Sequence, residues 1–199
     1  MAKPFDAVKQ LCKDLFESDK GTPEGFSQLL QYLLSSTVLA PGQSLTWDDN
    51  DGEGNAYISS RLRDKVFQLN NGQFLKFFMH FRFDRKTPLT IPKSCFQYQL
   101  DKQRHSKQFV FRYDYSVLSY ANHPPAHLQI NGKFNHASIT NKQLSSIRFP
   151  VNRPSIESML RFLINDFELK PNNSQWAQLL TYSEDAFHRY QAKKRLEEK

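Results

Sequence analysis

The chain has 199 residues, 39% of them hydrophobic and 24% charged, and carries a formal net charge of +7. That length suits one well-buried core and is short for two, and the ordinary balance of apolar and charged residues excludes wholesale disorder. No apolar run approaches the roughly 20 residues of a membrane-spanning helix, and residues 1–8 (MAKPFDAV) lack the apolar core of a signal peptide, so a cytoplasmic protein without membrane association is expected.

In chain order, residues 4–17 read as a helix, because Phe5, Val8, Cys12, Leu15 and Phe16 fall on one face at helical spacing. Asp19-Lys20-Gly21 breaks it. Thr22 then caps a second helix with Pro23 at its first position and a stripe of Phe26, Leu29, Leu30, Leu33 and Leu34. The short link predicts an antiparallel helical pair, which Ala40-Pro41-Gly42 closes. The acidic stretch WDDNDGEGN (47–55) invites a calcium loop. With Gly52 at the sixth position, however, positions one and twelve fall on Trp47 and Ile58, which lack carboxylates, so an exposed turn is expected.

The period then changes to two. Residues 73–83 alternate, with Leu75, Phe77, Met79, Phe81 and Phe83 on one face and Phe74, Lys76, Phe78, His80 and Arg82 on the other. Asn70-Asn71-Gly72 makes a hairpin turn from a strand over 66–69. Further strands fall at 94–100, 108–115, 126–131 and 146–149. Short turns between consecutive strands predict a twisted antiparallel β-meander of about five to six strands. Helical periodicity returns over 154–167 and from 174 to about 195, and the tail 193–199 (KKRLEEK) reads as a solvated helix end. The expected architecture is a single α+β domain over 1–199. A helical pair in 1–40 and C-terminal helices in 153–195 pack on an antiparallel sheet in 60–150.

Charge is uneven along the chain. Residues 60–115 hold twelve basic side chains against four aspartates, a net +8, while the remainder sums to −1. A localised positive field attracts phosphate, so nucleic acid, a nucleotide or an acidic protein partner leads the expectations, against the plainer reading of solvated strand faces. Cys12 and Cys95 match no metal spacing and read as free buried thiols.

Chemistry concentrates in residues 109–128, FVFRYDYSVLSYANHPPAHL. Alternation places Phe109, Phe111, Tyr113 and Tyr115 on one face of a strand, with Val110, Arg112 and Asp114 on the other. Arg112 and Asp114 can form a structural ion pair or share a ligand. Pro124 and Pro125 restrict the backbone between His123 and His127, and His127, Gln129 and Asn131 line a polar face. Two imidazoles there can act as acid and base on a phosphodiester, or simply bond backbone carbonyls in a turn. They are too few for a metal unless Asp114 or His136 joins them, so no metal or other cofactor is expected. Arg148, on a strand, and Arg153, just before a helix start, are candidate phosphate contacts, as is Arg82 on the Phe-rich strand. Tyr113 or Tyr115 would stack or hydrogen-bond. No P-loop, GxGxxG, HExxH, GxSxG or paired CxxC signature occurs.

The order RYDY (112–115), HPPAHLQINGK (123–133) and IRFPVNRPSIESMLRFLINDF (147–167) resembles an uncharacterised bacterial family. In that family a tyrosine–aspartate strand precedes a His-rich turn, an I-R-x-P strand and a helix ending in F-L-I-x-x-F. The likeness covers 109–167, under a third of the chain, and a weaker similarity runs to the TumE family of toxin–antitoxin toxins. The resemblance implies a small cytosolic protein from a mobile-element or defence locus, and implies no mechanism. The expected function is nucleic-acid or nucleotide binding in a phage-defence or toxin–antitoxin system, with metal-independent RNA cleavage by His123 and His127 as its candidate reaction. The alternative is a non-enzymatic subunit that docks on an operon-encoded protein partner through the Phe-rich strand.

Overall fold

The computed structural model describes residues 4–17, 22–49, 55–60, 66–82, 90–103, 108–117, 125–131 and 154–197. Helix α1 (Pro4–Phe16) buries Val8, Cys12, Leu15 and Phe16, the stripe its periodicity predicts. Helix α2 (Pro23–Thr37) starts where its sequence signal places it. Thr22 is extended, and its hydroxyl accepts the Gly25 N–H at 3.1 Å. Pro23 fills the first turn, where a missing N–H leaves no bond unmade. Phe26, Leu29, Leu30, Leu33 and Leu34 are buried below it.

Seven antiparallel strands follow among the described residues: β1 (Leu45–Asp49), β2 (Asn55–Ser60), β3 (Phe67–Gln68), β4 (Phe74–Arg82), β5 (Thr90–Gln99), β6 (Phe109–Ser116) and β7 (Ala126–Ile130). Their order is β1-β2-β4-β5-β6-β7, and β3 pairs with the start of β4, so β2 and β3 share one edge of that strand. From β4 onward, sequence neighbours are sheet neighbours, the antiparallel meander expected. The Asn70-Asn71-Gly72 turn forms as predicted. The Gly72 N–H reaches the Leu69 carbonyl at 3.0 Å, and Gly72 takes φ +82°, a conformation that favours glycine.

Two expectations change. The stretch 47–55 is not only a turn. Residues 45–49 pair with 56–60 as a hairpin that extends the sheet, while 50–54 lie outside the described residues. Asp and Asn lower intrinsic strand preference, yet an acidic strand is well suited to a sheet edge, where charge discourages pairing with other chains. The second change lies in β6. Tyr98 opposes Phe111 while Gln99 opposes Phe109, so Val110 is an extra residue in a bulge. Val110 and Phe111 are consequently both buried, and Val110 leaves the polar face to which strict alternation assigned it. The strand expected at 146–149 lies outside the described residues.

Helix α3 (Ile156–Asp166) begins after Ser155, whose hydroxyl accepts the Ser158 N–H at 3.0 Å, two residues later than the sequence indicated. Helix α4 (Trp176–Glu197) continues through the charged tail. The helices join the inner face of the sheet in one core: Phe26 meets Phe81 at 4.5 Å between ring centroids, Tyr98 meets Phe167 at 4.9 Å and Phe111 meets Phe162 at 5.3 Å. Leu75, Phe77, Met79 and Phe81 are all buried there, so the apolar stripe of β4 is core and not surface. No described helix is long and apolar enough to cross a membrane.

A polar seam joins α3 to α4. Ser155 and Ser158 both donate to Glu184 Oε1, at 2.6 and 3.2 Å, and Arg161 Nη1 donates to Oε2 at 2.6 Å. Burial opposes the Glu184 charge, but these donors outweigh it and lower its pKa. Deeper in, Ser183 donates to the buried Glu157 at 2.6 Å, and burial raises the Glu157 pKa.

Candidate functional site

The outer face of the sheet carries the polar residues, and strand register arranges them in rows. Lys76 on β4 opposes Gln97 on β5, which opposes Arg112 on β6, which opposes Gln129 on β7. The next row is Phe78, Cys95, Asp114 and His127. The sequence run 109–128 thus supplies three members of one cluster, brought side by side by the β6–β7 pairing.

Asp114 is the hub. Arg112 Nη2 donates to its Oδ1 at 3.0 Å, and Arg112 Nε lies 2.5 Å from Oδ2. The Nε–H is not directed at that oxygen, so only the Nη2 contact has hydrogen-bond geometry. His127 Nε2 stands 3.8 Å from Oδ2, beyond a hydrogen bond but within ion-pair range when the ring is protonated. The side chains are 37% exposed for Arg112, 19% for Asp114 and 27% for His127, which leaves all three within reach of a ligand.

Cys95 lies beneath this group. Burial, reinforced by the Asp114 charge, pushes its thiol up to about 12, against opposing pulls from Arg112 and Lys76. The thiol therefore stays protonated, and it hydrogen-bonds Asp114. Burial works against the Arg112 charge, but the Asp114 carboxylate outweighs it and raises the arginine pKa. Elsewhere on β5 the polar groups are consumed internally. Gln97 Nε2 donates to Gln99 Oε1 at 2.6 Å, and Gln99 Nε2 donates to the carbonyls of Asp101 and Gln103 at 2.7 and 2.8 Å.

Other sequence candidates fall elsewhere. Tyr113 points into the core, and Tyr115 packs against it from the same inner side. Tyr115 and Arg82 instead line a cleft of about 1040 Å³ on that side, together with the first turn of α3 and the C-terminal half of α4. The structure therefore separates Arg82, Tyr113 and Tyr115 from Arg112, Asp114 and His127. His123, Arg148 and Arg153 lie outside the described residues. Lys76 and Cys95 are members that sequence reasoning did not assign. Lys76 was visible as a polar position on an alternating strand, but its place in the row of Arg112 depends on register across β5. Among the described residues, no three His, Cys, Asp or Glu side chains gather in a way that could hold a metal ion.

No protein-family profile, no curated protein and no solved structure matches the chain.

Proposed function

We propose that the chain binds nucleic acid through its phosphate backbone on the outer face of the sheet, with His127 as proton carrier in metal-independent RNA cleavage. The observation that carries the reading is the cross-strand row that holds Lys76 and Arg112 on one face of the sheet, beside a half-exposed His127 that faces Asp114. Guanidinium and ammonium groups on one face favour phosphate oxygens, and Arg112 offers a planar fork for two of them. Asp114 limits the local charge and holds Arg112 in place. Imidazole is the side chain suited to proton transfer near neutral pH. In the cleavage step, His127 takes the proton of a ribose 2′-hydroxyl as that oxygen attacks phosphorus. The 5′-oxygen leaves with a proton from water or from His123, and a 2′,3′-cyclic phosphate remains. The defence or toxin–antitoxin setting implied by the sequence resemblance belongs to the same proposal.

Fluorescence anisotropy with a labelled RNA tests the binding. The affinity is expected to fall steeply with salt, and Arg112→Gln and Lys76→Gln are each expected to lower the log–log slope by about 0.7. A salt-independent affinity would remove the proposal. For the reaction, His127→Ala is expected to abolish the cyclic-phosphate product and any growth inhibition on expression, with the melting temperature unchanged. Loss of the fold in that variant would mark His127 as structural instead.

A further inference from the structure

We infer that the cleft between the sheet and the α3–α4 pair binds a single-chain amphiphile with an anionic head, a fatty acid or an alkyl phosphate. Its chain lies along the apolar wall and its head meets Arg82 and Arg195. The cleft is on the inner side of the sheet, away from Arg112, Asp114 and His127, so the inference does not rest on the RNA reading. Its volume of about 1040 Å³ is at the upper end for small-molecule sites, which run from about 300 to 1,000 Å³.

The ends of several elements form the walls. One face of α4 supplies Glu184, Phe187, His188, Gln191, Ala192 and Arg195, spaced three and four residues apart. Ile91 at the start of β5, with Tyr115 and Val117 at the end of β6, lines the sheet side. Phe26 and Met79 are buried in the cleft, Phe187, Ile91 and Tyr115 are partly exposed, and Val117 is 55% exposed. The apolar lining therefore extends from the core out to solvent-exposed positions, and a ligand that covers it removes that surface from water. Arg195 stands eight residues beyond Phe187, about 12 Å along the helix, a distance that a long alkyl chain spans and a short acid does not.

The polar groups of the cleft fall into two sets, and the division selects the ligand. Those around α3 are spent on one another. Ser155 and Ser158 donate to Glu184, whose other oxygen accepts from Arg161, and Ser183 donates to Glu157. Burial raises the Glu157 pKa and favours its neutral form. A nucleobase or sugar placed there would bury donors and acceptors with few partners left, a loss that an aliphatic chain does not incur. Arg82, at the end of β4, and Arg195, in the last turn of α4, form the second set. Both are exposed, and among the described residues neither forms an ion pair. Two arginines without a carboxylate partner, beside an apolar wall, are complementary to a carboxylate or phosphate head.

Isothermal titration of the full chain with decanoate, decyl phosphate and 1-decanol, each below its micelle concentration, compares three heads on one chain. Decanoate or decyl phosphate is expected to bind at a single site at least about ten-fold tighter than 1-decanol, because only the anions gain charge-assisted bonds to arginine. The tighter of the two anions identifies the head as carboxylate or phosphate. Arg82→Gln/Arg195→Gln is expected to lose about ten-fold on the anions and nothing on 1-decanol, with an unchanged melting temperature because both side chains are exposed. Ala192→Trp fills the cleft from an exposed position on its wall and is expected to weaken all three ligands. Equal affinity of wild type for anion and alcohol, a comparison that needs no variant, would overturn the inference. So would the absence of saturable anion binding to wild type, or an undiminished anion affinity in either folded variant.

Discussion

Asp114 holds Arg112 in a contact that a phosphate would also seek, so Asp114→Asn separates binding from chemistry. Asparagine keeps an acceptor oxygen for Arg112 Nη2 and removes the negative charge that faces both Arg112 and His127. A carboxylate about 5 Å from a bound phosphate in a water-like dielectric repels it by about 0.8 kcal/mol, roughly a four-fold loss of affinity. Removing it is expected to tighten RNA binding about four-fold and, because the site then carries one more uncompensated positive charge, to steepen the log–log salt slope by about 0.7. The stability cost is expected to be only about 1 kcal/mol, because the Arg112 side chain is more than a third exposed and solvent screens the pair. RNA cleavage is expected to fall at the same time, since His127 loses the negative charge that faces it as it takes up the proton. Anisotropy across a salt series, urea unfolding and product analysis on one preparation measure all three. Unchanged or weaker binding, with an unchanged slope, would refute the reasoning and leave Arg112–Asp114 a purely structural pair.

Two stability predictions concern the helical side. Glu157 is buried and its pKa is raised above its ordinary 4.5, so the neutral acid is favoured in the fold. Stability from this residue is complete below about pH 4.5 and is lost as pH rises from there through the raised folded value. Glu157→Gln keeps the acceptor for Ser183 and cannot ionise, so it is expected to raise the melting temperature at pH 8 and flatten that decline; an unaltered pH profile would contradict it. Asn172 clamps the end of α2. Its Nδ2 donates to the Ser35 and Leu39 carbonyls at 2.9 and 2.7 Å, and its Oδ1 accepts from Asn70 at 3.0 Å. At about 1 kcal/mol per bond, discounted for exposure, Asn172→Ala is expected to cost about 2 kcal/mol. The urea midpoint should fall with an unchanged m-value, and a cost below about 0.5 kcal/mol would rule the clamp out.

Local signals were readable from the chain. The Thr22 cap, the Asn70-Asn71-Gly72 turn and the buried stripes of α1, α2 and β4 arise from interactions within a few residues, where spacing and backbone preference decide. The predicted α+β arrangement follows from them. Strands β1 and β2 were missed because Asp and Asn weaken the local preference, and the gain from joining an existing sheet edge has no local mark. The bulge at Val110 was likewise invisible: it is a mismatch between two strands, not a property of either one.

The candidate site divides the same way. The sequence by itself placed Arg112 and Asp114 on one strand face and His127 on a polar face nearby, because side-chain alternation needs no partner. Only the tertiary structure decided that Asp114 stands opposite His127, that Lys76 on β4 shares a cross-strand row with Arg112, and that Arg82 and Tyr115 belong to a different cleft. Those relations depend on cross-strand register, and a shift of one residue would turn every side chain of a strand to the other face. Burial of the inner face fixes that register. The whole core, gathered from both ends of the chain, is what places an arginine, an aspartate and a histidine together.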